Sequence, residues 1–214
     1  TNAQSRVMEE ACLKNNIPYK IIGSFYFYNR KEIKDLICYL RLINNYKDDV
    51  SLLRVINVPK RKIGEKTIDN ISNVALVNNS CLFDAINSGK ELEFKNLILD
   101  LKEKCENLSL TEMVELVLAK SGIKQELENE KSLDSEIRLE NLEEFKSITK
   151  NYEEEYGVIS LDDFLNEISL VSDMSEHQDG NNKVSLMTVH SVKGLEFDDV
   201  FVIGMEEGIF PHYN

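Results

Sequence analysis

The sequence predicts a mainly α protein in which a long helical block interrupts an α/β arrangement. Three observations carry that prediction. Apolar residues recur at helical spacing through the middle of the chain, a helix-like stretch followed by a strand-like one opens it, and two short apolar runs, VSLMTV and VFVIG, stand near its end. Such runs, rich in β-branched and aromatic residues, read as strands buried on both faces, as in a parallel sheet. Two strands do not make a stable sheet alone, so the partners of this pair are expected earlier in the chain or outside it.

Taken in order, Ser5 reads as the N-cap of a helix over 5–15 that carries Val7, Met8, Ala11 and Cys12 on one face, stopped by Asn15 and Asn16. IPYKIIG follows as a short strand closed by Gly23. From Asn29 the period becomes helical: Ile33, Leu36, Ile37, Leu40 and Ile43 form one stripe, a shorter segment covers 49–57, and Pro59 breaks it. A helix from Glu65 carries Ile68, Ile71 and Ala75, and further helices are expected over 81–87, 92–107 and 110–120. A long acidic helix carries Leu139, Leu142, Phe145, Ile148 and Tyr152, and the next carries Phe164, Leu165, Ile168 and Val171. SDMSEHQDGNNK, 172–183, reads as an exposed linker, and the two apolar runs come after it. An all-helical domain inserted into an α/β domain explains this order, because both ends then belong to one sheet.

Composition narrows the function. The chain has 214 residues, 42% of them hydrophobic, and a formal net charge of −13. Its length and apolar content suffice for a core, and its average field repels nucleic acid and anionic membrane alike. The charge is unevenly spread: 30–66 holds ten Lys/Arg against five Asp/Glu, whereas 126–155 holds eleven acids against four bases. Only the first region is suited to phosphate. Cys12, Cys38, Cys81 and Cys105 form no C-x-x-C and have no histidine pair nearby, so they read as buried free thiols. His177 and His212 have no second ligand at metal spacing, and paired acids such as Asp162 and Asp163 read as solvated helix faces. No signal peptide or membrane-length apolar run is present, so no membrane partner and a cytoplasmic location are expected. The missing initiator Met makes an excised fragment the expectation.

Two segments carry candidate chemistry. HSVKGLEF follows the strand VSLMTV, and ligands of α/β sheets bind beyond the carboxyl ends of strands, which makes His190, Ser191, Lys193 and Glu196 site candidates. The same residues also read as a polar crossover with a turn glycine, Gly194. VPKRKIGEKT places Lys60, Arg61 and Lys62 just ahead of a helix start at Gly64, where backbone amides favour an anion; the other reading is a solvated basic loop. The aromatics of GSFYFYNR read as core packing at a strand-to-helix junction, or as a base-stacking set.

Read whole, VSLMTVHSVKGLEFDDVFVIGMEEGIFPH resembles motif V and its continuation in the UvrD/PcrA/Rep family of superfamily 1 DNA helicases. NAQSRVMEEACLKNNIPYKIIG and RKEIKDLICYLRLINNYKDDVSLLRVINVPKRKIG are similar to the segments that lead into and open the accessory domain of that family. The stretch 79–183 carries no motif that matches by string, so order along the chain is the support there. The resemblance implies that 1–22 and 184–214 are two parts of the second RecA-like motor domain, 2A, and that 23–183 is the helical 2B domain inserted in it. It also implies that Glu196 accepts a hydrogen bond from the ribose of ATP, and that Thr188, His190, Asn2 and Arg6 lie along single-stranded DNA. For Arg6 a helix-surface ion pair is the equal alternative. A carboxylate suits a sugar hydroxyl, and a hydroxyl or neutral imidazole donates to phosphate. Lys60, Arg61, Lys62, Ile63, Gly64 and Thr67 match the duplex-contacting turn of 2B, where the family has Gly-Ile-Gly. Lys62 stands at the first of those glycines. If that position needs a positive φ, lysine strains it; if not, Lys62 adds a charge contact.

The sequence contains no G-x-x-x-x-G-K-[ST] loop and no strand ending in Asp-Glu for magnesium, so no catalytic site is complete in it. The expectation is a fragment of an ATP-dependent 3′-5′ DNA helicase of repair or replication. ATP and Mg2+ are then cofactors of the parent enzyme, with none expected on the isolated chain. The expected partners are DNA, single-stranded and at a duplex junction, the motor domains 1A and 1B with the rest of 2A, and repair proteins. The rival is a non-catalytic 2B-like module that binds DNA or protein. A ribose-reading glutamate favours the helicase, since a binding module has no use for one.

Overall fold

The computed structural model describes residues 2–22, 27–176, 183–187, 192 and 194–205. The chain divides into two compact units, one of Thr1–Phe27 with Val171–Asn214 and one of Tyr28–Leu170. The second unit is mostly helical.

In the first unit, α1 (Asn2–Lys14) leads to β1 (Tyr19–Ile22), which pairs in parallel with β2 (Val184–Met187) in the register Tyr19 to Val184 through Ile22 to Met187. Segments from opposite ends of the chain thus form one small sheet, which extends by one bond where the Val184 amide donates to the Pro18 carbonyl at 2.9 Å. Cys12 of α1 and Tyr19 of β1 are buried. The strands expected in the C-terminal region are only partly formed. β2 is half-exposed rather than buried on both faces, and VFVIG is not a strand: Val200, Phe201, Val202 and Ile203 are all exposed. A β-branched run becomes a strand only against a neighbour that satisfies its backbone, and none pairs with it among the described residues.

The second unit is built around α2 (Lys31–Asn44), ten of whose residues are buried, Glu32 and Asp35 among them. Ile33, Leu36, Tyr39, Leu40 and Leu42 have no exposed surface. α3 (Asp49–Val55), α6 (Gly89–Cys105), α7 (Leu110–Ser121) and α9 (Leu133–Tyr156) all pack on it. α4 (Glu65–Asn78) is an outer helix that rests on the short α5 (Leu82–Ala85). α8 (Ile123–Glu130) is not separable from its neighbours by sequence pattern; Gly122, at φ +87, ends α7 and begins α8. α10 (Leu161–Glu176) runs into the stretch read as a linker, so 172–176 are helical, while 177–182 lie outside the described residues. α1 also starts three residues before the Ser5 cap position.

Polar groups fix the helices at defined points. Asp48 caps α3 through the Ser51 amide, and Ser109 and Ser132 each form a reciprocal capping box at the starts of α7 and α9. Asn141 of α9 is buried against α2, donating to Glu32 Oε1 at 2.6 Å and accepting from Arg30 Nη1 at 2.6 Å. Phe27, ahead of α2, is buried, which fits the core-packing reading of its aromatic string; 23–26 lie outside the described residues. Cys12, Cys38 and Cys105 are buried and Cys81 is half-buried, all four as free thiols that burial pushes up from the ordinary thiol value.

Candidate nucleic-acid interface

The basic turn lies between α3 and α4, and its shape follows from two side chains. Asn57 comes first: its Oδ1 accepts from the Arg61 amide at 2.7 Å and from the Ile63 amide at 3.3 Å, which curls the backbone around it. Ile63 is buried and anchors the exit of the turn. The Val58–Pro59 peptide bond is cis, and Pro59 packs where α7 meets α8: a Cβ at Gly122 would come within 3.2 Å of Pro59 Cγ. Glu126 of α8 accepts from the Lys60 amide at 3.3 Å.

Arg61 is the second organiser. Its side chain, expected beside Lys60 and Lys62 as a duplex contact, turns inward. Nη1 donates to the carbonyls of Val58 at 2.8 Å, Pro59 at 3.2 Å, Val55 at 3.3 Å and Ile56 at 3.4 Å. Nη2 donates to Tyr39 Oη at 2.7 Å and to the Ser121 carbonyl at 2.9 Å. The guanidinium also lies 5.2 Å over the Phe94 ring. Tyr39 Oη in turn donates to the Val58 carbonyl at 2.6 Å. A planar fork suits such a ring of oxygens, because the two N–H groups of Nη1 are shared among four carbonyls while those of Nη2 reach Tyr39 and Ser121.

The remaining residues face outward. Lys60 and Lys62 are exposed, as is Lys66 on the first turn of α4. Lys62 has φ +61, so its position does require the left-handed region that a glycine would take without steric strain. Gly64 is the N-cap of α4 at φ −95 and ψ 172, has no side chain with which to cap, and would put a Cβ into open space. The Thr67 and Ile68 amides both donate to the Gly64 carbonyl, so the amides ahead of them have no partner inside the helix. Thr67 is half-buried one turn in. Two exposed lysines and a helix start with free amides make an anion-facing surface, which Glu65 in the same first turn partly offsets.

The second candidate segment is placed only in part. The Leu195 amide donates to the Val192 carbonyl at 2.9 Å across a tight turn with Gly194 at φ +87, and Glu196 emerges from it exposed. That carboxylate suits a sugar hydroxyl and offers no cradle for phosphate. Thr188, His190, Ser191 and Lys193 lie outside the described residues, and Asn2 and Arg6 fall on the backbone of α1. The structure therefore gathers the residues of the basic turn, whereas the single-strand set has no described side-chain geometry. Sequence reasoning missed Asn57, Tyr39, Phe94, Ser121 and Glu126. Only Asn57, four residues before Arg61, left a local signal, the Asx-type turn former ahead of a proline.

All of residues 1–214 match the family model of the UvrD-like helicase C-terminal domain, and the chain belongs to that family. Among known proteins it is similar to the ATP-dependent DNA helicase PcrA of Staphylococcus aureus strain Mu50, at 48% identity over 225 residues, covering 99% of this chain and 31% of the relative. The protein of the same name from Staphylococcus epidermidis strain RP62A is 49% identical over 225 residues, with the same coverage, 99% and 31%. The chain thus spans about a third of the length of the curated relatives it matches.

Proposed function

We infer that the chain is part of an ATP-dependent DNA helicase that moves 3′ to 5′ along one strand in repair or replication. The observation that carries this reading is the near-half identity, over 99% of the chain, to proteins whose names say ATP-dependent DNA helicase. In this reading 1–22 and 184–214 belong to the motor domain 2A and 23–183 to the accessory domain 2B. ATP and magnesium serve the whole enzyme, and this chain supplies Glu196 toward the ribose. Thr188, His190, Asn2 and Arg6 line the single strand.

The helical unit meets duplex DNA at the basic turn through Lys60, Lys62, the Ile63–Gly64 backbone and the start of α4 up to Thr67. Support comes from the exposure of both lysines and from the uncapped helix start between them and Thr67. The contact is ionic and therefore salt-dependent, and it works locally against a net charge of −13. The test is duplex affinity of the 214-residue chain over a salt series. Replacing Lys60 and Lys62 together with alanine is expected to reduce the log-log slope by about two units, nearly one per phosphate contact. An unchanged slope and affinity would remove the turn from the interface.

A further inference from the structure

The basic turn contains three consecutive cations, and the structure divides them unequally. Lys60 and Lys62 are exposed, while the charge between them is surrounded by protein oxygens: four carbonyls of 55–59, the Ser121 carbonyl and the Tyr39 hydroxyl. We propose that Arg61 is a positioning residue for duplex binding, holding the backbone so that Lys60, Lys62 and the first amides of α4 present themselves together, and not itself a phosphate contact. This rests on the duplex-contact reading of the turn given above.

A lysine at φ +61 is disfavoured by its Cβ, so an unrestrained loop would relax and swing that side chain elsewhere. Two clamps oppose relaxation. Asn57 ties the amides of Arg61 and Ile63, which flank Lys62 on both sides. The Arg61 guanidinium ties the carbonyls on the other side of the turn to α2 and to the end of α7, reaching Tyr39 and Ser121. The turn is thus fastened to the packed core of the helical unit, and the lysines inherit its rigidity. Lysine at position 61 would keep the charge but not the function: three donors on one nitrogen cannot span a ring of six oxygens that a planar fork reaches from two.

Charge-neutral substitutions give this idea a readout that a mere charge contact would not move. Arg61→Lys and Asn57→Ala leave the net charge unchanged. Each is expected to lower the salt slope of duplex binding by at least one unit, because lysines that no longer converge release fewer counterions. In the chain that already lacks Lys60 and Lys62, Arg61→Lys should add nothing further. Folding is checked by far-UV circular dichroism on every variant. Asn57→Ala is the milder change, leaving all guanidinium bonds in place, and decides the matter if Arg61→Lys fails to fold.

Three different results overturn the proposal, and they are distinguishable. If the paired lysine variant loses two units of slope while Arg61→Lys or Asn57→Ala stays folded and binds as the unaltered chain does, the turn contacts DNA but Arg61 does not position it. The positioning role is equally lost if Arg61→Gln costs one unit of slope with and without the two lysines, the mark of a direct phosphate contact. If instead the paired lysine variant binds duplex unchanged, the duplex reading itself falls and the positioning role falls with it.

Discussion

Lys62 and Tyr39 show how much a single position can carry in this protein. A lysine in the left-handed region costs about 1–2 kcal/mol, and a glycine there recovers that, less the roughly 0.5–1 kcal/mol of chain freedom glycine gives up on folding. Lys62→Gly is therefore expected to raise stability by about 0.5–1 kcal/mol in thermal or urea unfolding and to subtract about one unit from the duplex salt slope. Stability and binding move in opposite directions at this residue. Tyr39, with no exposed surface, has its phenol pushed up to about 12, burial outweighing the opposing pull of the Arg61 charge. Because the folded value lies above the ordinary one near 10, the stabilisation is complete below about pH 10 and is lost as pH rises through 12. The loss is on the order of 2 kcal/mol. Comparing urea unfolding of the unaltered chain and Tyr39→Phe between pH 9 and 12 isolates it, since only the former should show this component of the decline. Much of this was legible in outline: the basic cluster, the helix start at Gly64 and the question of φ at Lys62 all stand in the string VPKRKIG. The inward course of Arg61 was not, because its partners Tyr39 and Ser121 lie 22 and 60 residues away and no local pattern reports them.

Among the elements, α2 and α9 are joined by one buried side chain. Asn141 bridges Glu32 and Arg30, so Asn141→Ala leaves a buried carboxylate oxygen without that donor. The expected cost is about 2–4 kcal/mol in urea unfolding, above that of an ordinary hydrogen bond because both partners are charged. Ser109→Ala opens the capping box of α7 and should cost about 1 kcal/mol, the usual loss at an N-cap. The contrast between the two variants separates tertiary from local stabilisation. Helices were the readable elements here: the stripe of α2 and the apolar positions of α9 and α10 follow from period alone. Where period stopped short, physics of a different range intervened. The break between α7 and α8 is set by a left-handed Gly122 packed against Pro59, and VFVIG has strand composition without a strand neighbour among the described residues.

For the whole molecule, the mainly α character was legible because apolar residues recur at helical spacing through the middle of the chain. The placing of Thr188 and His190 along single-stranded DNA was a matter of resemblance, and both lie outside the described residues. The purified 214-residue chain is expected to show no DNA-stimulated ATP hydrolysis, since its sequence contains no phosphate loop. Turnover abolished by Glu196→Ala would contradict that. In a longer chain that carries the loop, the same substitution should raise the KM for ATP roughly tenfold, the loss of one sugar hydrogen bond of about 1–2 kcal/mol. The pairing of β1 with β2 has a consequence for biosynthesis. The first strand leaves the ribosome about 160 residues before its partner exists, a wait on the order of 10–30 s at ordinary elongation rates. During that interval Ile21 and Ile22 belong to a nascent strand with an unpaired edge, while the segments of the helical unit emerge behind them. Until residue 187 has cleared the exit tunnel, β1 waits for the neighbour that this topology gives it.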